Sequence, residues 1–205
     1  MAAFYFDLAS PLSYLAAERV LDALPEPAEW QPVLASELAL GDRADIGNDG
    51  AGRIEMPAEF GPEVPRAEVE RRARALRIQP LRWPQPFPFD STLAMLVATY
   101  ARSIGRAVAF AQAAFRQAYA GGRNLEERDN VLIAAAACEM HPSAVLKAAE
   151  LRSTDAELRK QTARAARAGV HTVPAVLVDE RVYAGEAALE RAAAHMRAMT
   201  RSGAR

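Results

Sequence analysis

Cysteine is almost missing from this chain. Cys138 is the single one in 205 residues, and one thiol can neither close an intramolecular disulfide nor run dithiol exchange. It lies in the apolar run Val131 to Glu139, which reads as a buried helix, so it is taken as a small core hydrophobe and not as a nucleophile. An excess of charge is missing as well: Lys plus Arg number 25 against 26 Asp plus Glu, for a formal net charge of −1. That balance argues against nucleic acid and against an anionic membrane surface, and leaves small neutral or acidic substrates open. No apolar run approaches the ~18 residues of a membrane-spanning helix. The opening residues lack the basic flank and long apolar core of a signal peptide, because Asp7 interrupts the first apolar run almost at once. A cytoplasmic protein is the expectation. Histidines are few: His171 reads as an exposed loop residue, His141 and His195 have weaker claims to chemistry, and no metal ligand is assigned. Hydrophobic residues make up 51% of the chain, enough for a sizeable core in one large domain or in a compact domain carrying an insertion.

What is present centres on Phe4 to Leu15. Phe4-Tyr5-Phe6 is a short aromatic run suited to a strand. Pro11 has the fixed φ of a first helical position, with Ser10 before it as N-cap. A strand-to-helix turn results, and the free N–H groups at the helix start favour an anion or a thiolate beside Ser10. Ser10-Pro11-Leu12-Ser13 has the frame of a C-x-x-C redox site with serine at both cysteine positions. An N-cap role alone would account for Ser10, and the two roles are compatible.

Along the chain, Pro11 to Leu24 carries one apolar helical face, through Leu12, Leu15, Ala16, Val20, Leu21 and Leu24, and Pro25 and Pro27 stop it. Glu29 to Leu34 reads as a second strand, parallel to the first, with Pro32 marking a strand end or an edge. Between Ala39 and Pro65 periodicity fails amid glycines and prolines. Arg66 to Arg77 is a charged helix with a solvated face, and Pro80 to Pro88 is forced into an extended path. Helices are expected over Ser91 to Ile104, Val108 to Tyr119 and Ser143 to Leu151. Asn124 with Glu127, and Thr154 with Glu157, match capping boxes, so helices should begin at each. β-type signal returns at Val176 to Val178 and Arg181 to Tyr183 around an Asp179-Glu180 turn, followed by a closing helix from Glu186 to Met199.

The motif Phe-Asp-x-x-Ser-Pro-x-Ser-Tyr-Leu-Ala, at Phe6 to Ala16, resembles the opening of the 2-hydroxychromene-2-carboxylate isomerases and kappa-class glutathione transferases, a DsbA-like branch of the thioredoxin superfamily. The strand, hairpin and helix after Gly169 are similar to the second half of a thioredoxin fold, and Val173-Pro174 stands where such proteins place a cis proline. The resemblance implies an α/β, thioredoxin-like (DsbA-like) fold, formed by residues 1–38 and 162–205, with a large all-helical domain inserted over 39–161. It implies glutathione as cofactor, with Ser10 hydrogen-bonded to its sulfur, Pro11 beside it, the Val173 backbone and Pro174 against its cysteinyl part, and Glu186 at its glutamyl end. The family's Gly-x-Asp-Arg appears here as Gly185-Glu186-Ala187-Ala188, which keeps a carboxylate and lacks the arginine. Thr172 stands where the family has glycine. Phe87-Pro88-Phe89-Asp90-Ser91 resembles the family's Phe-Pro-x-Asn-Ser/Thr, with Leu96 near the position of a following arginine. Asn48 is nearest the family's pocket asparagine, and that role is not carried over. The expected activity is a glutathione-dependent isomerase or transferase acting on a small aromatic-pathway substrate, in a homodimer. The alternatives are a thioredoxin-fold binding protein without chemistry and a DsbA-like protein that has lost its C-x-x-C site.

Overall fold

The first strand, β1 (Ala2–Phe6), alternates buried and half-buried residues, as a strand with two unlike faces must. After α1 (Pro11–Ala17) and α2 (Val20–Ala23) comes β2 (Glu29–Pro32), parallel to β1 with Phe6 opposite Pro32. The computed structural model describes residues 2–38, 64–185 and 187–203. Near the far end of the chain, β3 (Ala175–Val178) runs antiparallel to β1, and β4 (Arg181–Ala184) runs antiparallel to β3, giving the sheet order β2-β1-β3-β4. Pro32 ends an edge strand, where a missing N–H is tolerated. Asp179 takes a φ of 53° in the two-residue turn between Val178 and Arg181, the left-handed conformation a tight hairpin needs.

Among the described residues, a helical turn at 35–38 follows β2, and the longer helices between it and β3 are α3 (Arg66–Ala75), α4 (Thr92–Ser103), α5 (Ala107–Phe115), α6 (Arg128–Ala136), α7 (Pro142–Glu150) and α8 (Arg152–Arg167). The last helix is α9 (Ala188–Gly203). One face of the sheet presents Phe4, Phe6, Trp30, Val176 and Val178 to a large core shared with α1, α4, α5 and α9. Phe6 lies 5.8 Å from Phe115, and Tyr14 stacks on Tyr119 at 5.5 Å. Sheet and helical block are therefore joined by one continuous apolar core, in which each fully buried large side chain is worth roughly 1.5–3 kcal/mol of transfer free energy. The opposite face is smaller: Val33, Val173 and Ala175 pack with Ala165 and Val170, and Tyr5 lies against them.

Several boundaries differ from those expected. The helix predicted over Pro11 to Leu24 breaks at Glu18 and Arg19, where the Arg19 N–H turns back to the Ala16 carbonyl. Glu18 there pairs with Arg116 at 2.8 Å and Arg19 pairs with Glu190, on two different helices. Tertiary ion pairs of this kind leave no trace in apolar periodicity. The helix predicted over Val108 to Tyr119 passes into a π-helical turn at Arg116–Ala120. The box at Asn124 caps a turn instead: its side chain accepts from the Glu126 N–H at 2.9 Å, and α6 begins only at Arg128. Thr154 lies inside α8, because extended Leu151 ends α7 and starts the next helix at once without a side-chain cap. The predicted helix start at Glu186 moves to Ala188, and the buried helix through Glu139 ends at Ala136, leaving Cys138 in the following turn.

Candidate functional site around the Ser10 turn

At the C-terminal end of β1, the Phe6 carbonyl accepts from the Val33 N–H at 3.1 Å, and the chain then turns through Asp7, Leu8 and Ala9. The Ser10 N–H closes that turn onto the Asp7 carbonyl at 3.0 Å. Ser10 is extended (φ −90°, ψ 113°) and is the N-cap of α1: its Oγ accepts from the Ser13 N–H at 3.1 Å, and Pro11 follows at the first helical position. Accepting that bond leaves the hydroxyl hydrogen of Ser10 free to donate. Ser10, Pro11 and Leu12 are half-buried, whereas Ser13 is fully buried and its Oγ has no hydrogen-bond partner among the described residues.

The antiparallel register sets Tyr5 opposite Ala175, so the end of β1 and the start of β3 lie at the same end of the sheet. The chain leaves that end through Ser10 and Pro11 and returns to it through the Val173–Pro174 loop. The Val173–Pro174 peptide bond is cis, Val173 is buried and Pro174 is half-buried. Val173 precedes the ladder, which starts at Ala175. Glu186 and Asn48 fall outside the described residues.

In the sequence Asp7 interrupts an apolar run and is the acid of the Phe-Asp-x-x-Ser motif, with no role of its own assigned. It is 3% exposed. Its Oδ1 accepts from the Ala9 N–H and its Oδ2 from the Ala35 N–H, both at 2.9 Å. Burial pushes the Asp7 carboxyl above the usual carboxylate range; the Ala35 and Ala9 amides and the Ser91 hydroxyl work against that, and nearby Asp90 adds to it. Tyr119 is pushed well above the ordinary tyrosine value, first by burial and then by Asp7. Its hydroxyl has no hydrogen-bond partner among the described residues. An acid inside Phe-Tyr-Phe-Asp-Leu-Ala is the sequence signal that could have found this layer, since a carboxyl seldom enters a core without hydrogen bonds to hold it.

Elsewhere, Cys138 is buried and its thiol is pushed up by burial, the wrong direction for a nucleophile. Among the described residues no group of His, Cys, Asp and Glu could hold a metal ion, and no helix is long and apolar enough to cross a membrane.

The family model of the DSBA-like thioredoxin domain matches residues 2–197. The chain belongs to that family. A 2-hydroxychromene-2-carboxylate isomerase from Sphingobium xenophagum is 26% identical over 190 residues, covering 91% of this chain and 93% of that one. Among solved structures, a 2-hydroxychromene-2-carboxylate isomerase aligns with a TM-score of 0.79 at 18% identity, over 99% of this chain and 97% of the other. The cytosolic disulfide reductase DsbM from Pseudomonas aeruginosa, solved with GSH, aligns with a TM-score of 0.61 at 16% identity and 98% coverage of both chains. The chain carries serine at both ends of its Ser10-Pro11-Leu12-Ser13 frame, and its single cysteine, Cys138, lies elsewhere in the sequence.

Proposed function

We propose that this chain is a glutathione-dependent isomerase or transferase of the 2-hydroxychromene-2-carboxylate isomerase type, in which Ser10 stabilises the glutathione thiolate. The observation that carries the reading is the Ser10 hydroxyl itself. It is half-buried at the end of the sheet where the Val173–Pro174 loop also arrives, and it can donate outward while its oxygen caps α1. The likeness to an isomerase over 91% of the chain supports the reaction class, and a neighbour of the same fold solved with GSH supports the thiol.

The residues present fit that tripeptide thiol in kind. Ser10 offers a neutral donor, and Val173 offers backbone outside the β-ladder that can pair with an extended peptide as one more strand. Pro11 and Pro174 supply apolar walls with no competing N–H, and the resemblance assigns the glutamyl end to Glu186, which lies outside the described residues. When bound, glutathione supplies a nucleophilic sulfur able to add reversibly to a conjugated carbonyl compound. A donor aimed at the sulfur lowers its pKa: a shift of ~2 units from ~8.5, about 2.7 kcal/mol, makes most of a thiol ionised at neutral pH. Substrates of this reading are aromatic-pathway compounds with a planar carboxylated side chain, and the setting it carries is cytoplasmic. Calorimetric titration with glutathione, followed by thiolate absorbance of the bound form against pH, tests it. Saturable binding with a depressed thiol titration is expected; no binding would leave a thioredoxin-fold binding protein without this chemistry.

A further inference from the structure

We infer that Asp7 is the positioning residue of the Ser10 site: one carboxyl oxygen on the Ala9 N–H and the other on the Ala35 N–H fasten the turn that presents Ser10 to the start of the helical turn at 35–38 that follows β2. In this way Asp7 fixes the direction in which the Ser10 hydroxyl faces a bound thiol. The direction toward a thiol rests on the function proposed above; the fastening rests on the geometry alone.

A carboxyl at 3% exposure is expensive to keep out of water. No ion pair reaches it among the described residues, and its titratable neighbours are Asp90, just before α4, and Tyr119, on the π turn. Neither brings a positive charge. An apolar side chain of similar volume would pack there at less cost, so the carboxyl's place follows from what its two oxygens hold. The bond to Ala9 is local, within the turn that ends at Ser10. The bond to Ala35 spans 28 positions, and it joins that turn to the first residue of the helical turn at 35–38, which is preceded by Leu34, itself held by its N–H on the Thr162 hydroxyl at 3.0 Å. Leu8 between them is tied to α4 by its N–H on the Met95 sulfur at 3.3 Å. The three residues before Ser10 are therefore anchored to β2 and to α4, and Asp7 supplies the anchor on the β2 side.

Asp7→Asn tests this, because it keeps the shape but sets an NH2 group where one of two amides needs an acceptor. Amide hydrogen exchange should quicken at Ala9 or Ala35 by roughly fivefold to tenfold, the loss of about one hydrogen bond, while the β1 and β3 amides keep their protection. The titration of bound glutathione should move to higher pH, and turnover should fall about tenfold with KM for glutathione within about twofold, as when a group acting in the transition state is misplaced. A role through charge alone predicts the opposite titration, since removing a negative charge near a thiolate lowers the thiol pKa. A titration that falls or stays put overturns the positioning role, and unchanged exchange at both amides overturns the fastening. If wild type binds no glutathione, the proposed function and the positioning of Ser10 toward it fail together, and the exchange arm still decides the fastening. Should Asp7→Asn not fold, the wild type carries the test: the Ala9 and Ala35 amide shifts must titrate together with the Asp7 carboxyl, and independent titration overturns the inference.

Discussion

Two turns of this molecule invite comparison, the one from β1 into α1 that carries Ser10 and the one after α6 that carries Cys138. The first is held by long-range bonds, Asp7 to Ala35 and Leu8 to Met95, around buried polar groups. The second is closed by its own helix: the Cys138 and Met140 N–H groups both return to the Ala135 carbonyl, and Glu139 supplies the left-handed residue with a φ of 58°. Among the described residues its long-range polar contact is the exposed Arg106–Glu139 pair at 3.2 Å, a kind worth ~1 kcal/mol or less. The residue type that does thiol chemistry thus sits in a local, apolar turn that suppresses its reactivity. The Ser10 hydroxyl sits in a turn that long-range bonds hold in place.

The comparison can be broken at the core beneath the first turn. Phe6→Ala removes a fully buried ring that contacts Phe4, Trp30 and Phe115, and should cost about 3–5 kcal/mol by denaturant unfolding. A cost under ~1 kcal/mol would mean that this turn does not rest on the sheet core. Ser10→Ala sharpens the comparison. Loss of the cap should cost about 1 kcal/mol of stability, while loss of a donor to the thiolate should cost ~1.5–3 kcal/mol of anion stabilisation, on the order of tenfold to a hundredfold in rate. Melting curves set beside bound-thiol titrations separate the two, and identical titrations would reduce Ser10 to a cap.

Asp7 gives the comparison a pH dependence. Its carboxyl pKa is raised in the folded protein, first by burial, so the contribution of this group to stability is full below the unfolded value of ~4 and is lost as pH rises through the folded value. The stability deficit of Asp7→Asn relative to wild type should therefore be greatest in acid and shrink toward neutral pH. Unfolding midpoints at several pH values check this, and a deficit that grows with pH would contradict it. The smallest effect belongs to the second turn: Cys138→Ala should change stability by about 1 kcal/mol or less and leave glutathione binding and turnover as they are. A loss of thiol-dependent activity in that variant would overturn the division between the two turns.

Much of the first turn was legible because its signals are local. Ser10 before Pro11 specifies a cap within four residues, and the aromatic run Phe4 to Phe6 suits a strand. The serine-for-cysteine frame and the Val173-Pro174 pair could be read without knowing that the chain brings both to one end of the sheet. The break at Glu18 and Arg19 was not legible, because its partners Arg116 and Glu190 lie 98 and 171 positions away. Nor was the π turn at Arg116–Ala120, which sits in a run whose apolar spacing suits an ordinary helix equally well.

By itself the sequence determined the strands at both ends of the chain, the cap at Ser10, and the exclusion of dithiol chemistry, because each follows from residue types over a few positions or from a count. Only the tertiary structure decided what Asp7 does. An acid in an apolar run reads as a defect until the fold brings the Ala35 amide to it, since a carboxyl loses its water everywhere in a core and finds its two N–H donors here only where the Ser10 turn meets the start of the helical turn at 35–38.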